Sequence, residues 1–100
     1  MPAYLIGRVR INDLEQFRKY SGKSPDIVAA YGGKYLSKGA RYQVTEGTDR
    51  FHRFVIVEFP SFEAAQKCVG SDEYQNAAEF RRHSGAAEID QVIVEAAVAP

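Results

Sequence analysis

The sequence predicts an α+β chain of the ferredoxin-like type, βαββαβ, and three observations carry that expectation. Residues 4–11 and 53–59 read as strands by period-two alternation or by an unbroken apolar run. Residues 62–69 and 72–82 carry apolar stripes at helical spacing, each behind a serine suited to an N-cap. A last strand-like run, 89–96, follows them. In that order the elements make an antiparallel four-stranded sheet with two helices on one face.

Within 4–11, Leu5, Gly7, Val9 and Ile11 share one face, and Tyr4, Ile6, Arg8 and Arg10 the other. Asn12 or Asp13 then caps a helix with Glu15 in its first turn and Leu14, Phe17 and Tyr20 or Ser21 turned inward. Gly22 and Pro25 interrupt it, while Ser24, Pro25 and Asp26 restart it for Ile27, Val28 and Tyr31. The Gly32-Gly33 pair ends this broken helix. An extended arm follows over 34–38 and 41–46, divided at Gly39 and read as a bulged or bent second strand.

The third strand, 53–59, is apolar on both faces except at Glu58, so both of its sides require cover. Pro60 stops it and Ser61 caps a helix whose stripe is Phe62, Ala65, Cys68 and Val69. Ser71 restarts a helix carrying Tyr74, Ala77, Ala78 and Phe80, and His83, Ser84 and Gly85 end it. In the last strand Ile89 and Ile93 share one face and Val92 and Val94 the other.

Composition narrows the classes of function. With 100 residues, 45% of them hydrophobic, the chain is expected to form one domain over 1–100. Thirteen basic and thirteen acidic residues cancel, so no global field draws it to nucleic acid or an anionic membrane. No apolar run nears the roughly 20 residues of a membrane span. Arg8 and Arg10 break the first apolar run, so no leader is expected and the chain is placed in the cytoplasm. The single cysteine, Cys68, excludes an intrachain disulfide and is read as a core filler. Helices cover one sheet face only, and a second copy is the simplest cover for the other. A homodimer through the open sheet face is therefore expected.

The runs PDIVAAYGGKYL (25–36), RFVIVEFPSFEAA (53–65) and SDEYQ (71–75) resemble the family named domain of unknown function thirteen-thirty, over nearly the whole chain from Tyr4 to Glu95. Gly32, Gly33, Tyr35, Leu36, Gly39, Glu46, Gly47, Arg53, Glu58, Phe59, Pro60, Ser61, Ala64, Ala65, Ser71, Glu73, Tyr74 and Gln75 fall on its motif. The resemblance implies a dimeric α+β barrel, two ferredoxin-like subunits stacked sheet on sheet as in antibiotic-biosynthesis monooxygenases and muconolactone isomerases. It implies no established activity. The chain departs from the pattern at Cys68 and Val69, where a Trp-Tyr pair is usual, at Lys38-Gly39-Ala40, and at Asp49, where an aromatic is common.

Among candidate site residues, Glu58 stands out, because a carboxylate in an apolar central strand must be paired, protonated or turned to a polar cavity. Arg8 is its candidate ion-pair partner; a proton-transfer role is the functional alternative. His52, in the basic turn with Arg50 and Arg53, is the second catalytic candidate, placed at a cleft mouth. Arg8, Tyr35, Arg53 and Tyr74 are the candidates for binding a small organic ligand. The two histidines, His52 and His83, lack ligand spacing, so no metal is expected, and no cofactor. Ser61 and Ser71 precede acidic first turns and read as caps rather than nucleophiles. Two classes of function stay open: a cofactor-independent enzyme of isomerase, lyase or monooxygenase type, and a non-catalytic dimeric module that binds a ligand or stabilises a partner.

Overall fold

The computed structural model describes residues 1–97. Its strands are β1 (Ala3–Ile11), β2 (Lys34–Lys38), β3 (Arg53–Phe59) and β4 (Ala87–Glu95), in one sheet of order β2-β3-β1-β4. The strand pairs β1·β3, β1·β4 and β2·β3 are antiparallel. Leu5 lies opposite Val57 and Ile93, and Gly7 opposite Val55 and Gln91. This is the ferredoxin-like strand order expected from the βαββαβ succession of elements.

Several parts of the expectation are corrected. The crossovers hold more than two helices: α1 (Leu14–Ser21) and α2 (Ser24–Ala30) join β1 to β2, and α3 (Phe62–Gly70) and α4 (Asp72–Arg82) join β3 to β4. The breaks are local chemistry. Gly22 ends α1 and Pro25 sits in the first turn of α2. Ser71 leaves the helical conformation at φ −70°, ψ 152°, and its hydroxyl donates to Cys68 O (2.7 Å) while accepting from Tyr74 N (3.1 Å). One side chain thus closes α3 and opens α4.

The second correction concerns the barrel. The sheet is open, with β2 and β4 as its two edges, so it does not close into a barrel. The arm is corrected with it: residues 41–46 form no strand, and β2 stops at Lys38 after a register shift between Tyr35 and Ser37. Leu14, expected inside, is 49% exposed, and Phe17 alone of α1 is buried.

The helices cover the sheet face that carries Ala3, Leu5, Val9, Val57 and Phe59. The core there joins Leu5, Val28, Val57, Phe59, Ala65, Cys68, Tyr74 and Ala78. With extents of 43 × 35 × 17 Å the molecule is one sheet and one helix layer thick. The opposite face, with Ile6, Ile56, Val92 and Val94 in neighbouring registers, has no second layer among the described residues. No helix of the described residues is long and apolar enough to cross a membrane.

Candidate functional site

The space between sheet and helices narrows to a small cleft with ≈ 40 Å³ open to the centre of a water-sized sphere. Its floor is Leu5, Gly7 and Val9 of β1 with Val55 and Val57 of β3; Phe17, Tyr20, Ser24, Val28 and Tyr74 close it from the helices. Alternation delivers the floor: odd-numbered residues of β1 and β3 all face the helices. Gly7 lies in the middle of that floor, and a Cβ built on it would meet only Asp90 O at 3.8 Å and the Ile89 side chain at 3.9 Å. The absent side chain leaves room for something other than the protein.

A hydrogen-bond chain crosses the cleft. The Tyr74 hydroxyl donates to Gln91 Oε1 (3.2 Å), and its oxygen lies 2.9 Å from the Tyr20 hydroxyl, which is then the donor in that pair. The two rings meet edge to face, with centroids 6.1 Å apart. Burial, reinforced by Tyr74, pushes the Tyr20 phenol well above its ordinary 10.0, and the nearby Arg81 offsets this in part. Burial likewise raises Tyr35, although a hydrogen bond from Ser24 works against it. Tyr20 and Tyr35 therefore hold their protons at neutral pH and can serve as donors. Cys68, wholly buried behind them, is pushed up to about 11 by desolvation, so it is an inert thiol.

Two guanidinium groups bear on the site, one lining the cleft and one over the Tyr20 ring. Arg53 lines the cleft with its centre 5.7 Å from the Phe17 ring, and its buried Nε has no hydrogen-bond partner. Arg81 is 2% exposed, lies 5.0 Å over the Tyr20 ring, and also leaves Nε unpartnered. Neither has an ion-pair partner among the described residues.

The structure gathers three of the sequence candidates, Tyr35, Arg53 and Tyr74, around one cleft, and leaves the other three elsewhere. Arg8 and Glu58 have even numbers and point to the open sheet face. Arg8 donates from Nε (3.0 Å) and Nη2 (2.8 Å) to Asp90 Oδ2 and covers the Phe51 ring. It lies opposite Phe54, whereas Glu58 lies opposite Tyr4 and Lys34, so the expected Arg8–Glu58 pair is not formed. Glu58 is partly exposed and has no ion pair among the described residues. His52 is exposed and extends the ladder at the end of β1: its N–H donates to Val9 O (3.0 Å) and its Nε2 accepts from Ile11 N (3.1 Å). It does not line the cleft.

Sequence reasoning missed Gln91 and Arg81. Arg81 carried a usable signal: Tyr74, Ala77, Ala78 and Arg81 occupy one helical stripe, and all four are buried. Gln91 had a weaker one, its odd position between Ile89 and Ile93. No cluster of His, Cys, Asp and Glu able to hold a metal exists among the described residues.

Solved structures with this fold come from several sources. A protein of unknown function from Rhodopseudomonas palustris superposes with a TM-score of 0.76 at 19% identity, over 98% of this chain and 84% of that one. SnoaB, a cofactor-independent oxygenase from Streptomyces nogalater, gives 0.64 at 10% identity over 98% and 95%. A dimeric ferredoxin-like protein of unknown function from Jannaschia gives 0.60 at 10% identity over 92% and 98%. At these identities the likeness is one of fold. No curated protein matches the chain. The family model described as Domain of unknown function (DUF1330) matches residues 2–97, and the chain belongs to that family.

Proposed function

We propose that the protein binds a small organic molecule in the cleft between the sheet and α1, α2 and α4. The observation that carries this is Gly7, a missing side chain at the centre of a central strand, beneath a cleft with converging polar groups. Tyr35, Arg53 and Tyr74 are the ligand contacts in this reading, with Tyr20 and Gln91 added. A ligand oxygen entering beside Gln91 takes the Tyr74 proton in place of the amide oxygen. That is how a phenol assists cofactor-independent isomerase, lyase or monooxygenase chemistry, by stabilising negative charge on a substrate oxygen. SnoaB, a cofactor-independent oxygenase of the same fold, supports such a reading by analogy.

The second reading, a ligand-binding module without turnover, is favoured by a specific fact: no His, Asp or Glu among the described residues lines the cleft. A conventional base is missing there, and Glu58 and His52 lie outside it. In both readings the chain works as a homodimer through the open sheet face. Ile6, Val92 and Val94, 40%, 52% and 44% exposed, form an apolar patch in neighbouring registers that a second copy would cover. Arg8 and Glu58 then belong to that interface.

The experiment is a thermal-stability screen of a metabolite library against wild type and Gly7→Val. A Cβ at Gly7 makes ordinary contacts, so the position admits a side chain, and the valine is expected to extend into the floor, with the far-UV circular dichroism of the variant checking that it folds. Stabilising compounds are expected to act on wild type and not on Gly7→Val. Equal shifts in both proteins would place binding elsewhere. A stabilising compound recovered unchanged after prolonged incubation would favour the module over the enzyme.

A further inference from the structure

We infer that the ligand of this cleft is an organic carboxylate, an apolar or aromatic body whose anionic end pairs with Arg53. The inference rests on the cleft reading above and adds the chemical class.

The first observation is charge. The lining includes Lys38 and Arg53 and, among the described residues, no carboxylate. The chain as a whole has equal numbers of basic and acidic residues, so this local excess does not reflect overall composition. A cleft lined by one sign of charge concentrates ligands of the other sign.

The second observation is how Arg53 is held. Its guanidinium lies on one side against the Phe17 ring, 5.7 Å from the centroid. Gly39 approaches it so closely that a Cβ there would sit 2.4 Å from Nη1 and 3.1 Å from Cζ. Gly39 has φ +63° and donates its N–H to Phe54 O (3.1 Å), which fixes the turn against β3. Substitution at Gly39 therefore meets both a strained backbone and the guanidinium. The planar group thus sits between ring and turn while Nε, a buried charged donor, is left without an acceptor. A carboxylate offers two acceptor oxygens matched to the partly exposed end of the guanidinium fork.

The third observation is the rest of the lining. Leu5, Val9, Val28, Val55, Val57 and Ile89 are aliphatic and suit an apolar body. Gln91 and Tyr74 lie away from Arg53. Gln91 is one alternation back along the sheet and two strands over, about 7 Å and about 10 Å by strand geometry. An oxygen at the far end of the body meets the tyrosine chain there, so the site selects a two-ended molecule: carboxylate at Arg53, hydroxyl or carbonyl at Tyr74.

Titration of 6-hydroxy-2-naphthoate and its neutral carboxamide into the full chain tests the inference. The acid is expected to bind at least tenfold more tightly than the amide. Arg53→Met should abolish that preference, and Arg53→Lys should keep part of it; the Lys variant serves if the Met variant does not fold. Equal binding of acid and amide, an unchanged preference in Arg53→Met, or binding of neither probe would overturn the inference. The cleft reading fails separately, when no library compound, charged or neutral, distinguishes wild type from Gly7→Val.

Discussion

Gly7 and Tyr74 describe the site at the scale of residues, one by what it lacks and the other by what it donates. A glycine in a central strand forgoes packing and backbone stability, by roughly 0.5–1 kcal/mol relative to alanine. Gly7→Ala is therefore expected to raise unfolding free energy by about that amount in urea denaturation, with no backbone strain to oppose it. A drop of 1 kcal/mol or more would mean that the floor has no spare room. Tyr74→Phe removes the hydroxyl that joins Tyr20 to Gln91 and leaves both without their shared partner. A loss of about 1–3 kcal/mol is expected in the same measurement. No loss would mean that the chain is replaced by water. The positions of both residues were readable in the sequence, from alternation and from a helical stripe. The meeting of Tyr74 with Gln91 was not, because it depends on how α4 lies over β4. Glu58 shows the converse. Its apolar strand suggested a buried charge, but the even positions of β3 face the side away from the helices, where Glu58 is partly exposed.

Between elements, the serine caps decide where the helices break and thus how they lie on the sheet. Ser71 makes two hydrogen bonds, one to the last turn of α3 and one to the amide of Tyr74. Ser71→Ala is expected to cost about 1–2 kcal/mol, more than an isolated N-cap such as Asp13, whose side chain accepts only from Gln16 N (3.2 Å). Parallel urea curves of Ser71→Ala and Asp13→Ala check that order, and equal losses would contradict the double role of Ser71 in closing α3 and opening α4. These caps were legible because capping is local chemistry. The end of β2 was not legible: residues 41–46 have strand composition, but their neighbours in the fold decide whether they pair, and β3 begins only at Arg53. Leu14 escaped for a related reason, since helical periodicity defines a stripe but not the edge at which a short helix leaves the core.

Considered as a whole molecule, the chain is a sheet with helices on one side, and its burial of weakly acidic groups sets a pH limit. Cys68 is raised from 9.0 to about 11, and Tyr20 and Tyr35 are raised above 10.0, in each case chiefly by desolvation. In the alkaline range the unfolded chain releases these protons before the native chain does, so stability falls as pH rises. Their contribution is intact below pH 9, begins to be lost through Cys68 from about pH 9, and falls further through the tyrosines above pH 10. Urea midpoints measured from pH 7 to 11 should follow that course, and Cys68→Ala should flatten the part that starts near pH 9. A curve flat to pH 11 in wild type would show that these groups are hydrated. The open face bears on assembly: sedimentation at micromolar concentration is expected to give about twice the chain mass of 11.2 kDa. A monomer there would remove the role given to Ile6, Val92 and Val94.

The side of the sheet that a ligand touches tests the central claim most directly. Methyl NMR can read it during titration with the most stabilising library compound, because side chains on alternate positions report opposite faces. The methyls of Leu5, Val9, Val55 and Ile89 are expected to shift, while those of Ile6, Ile56, Val92 and Val94 stay in place. Shifts confined to the second group would contradict the cleft.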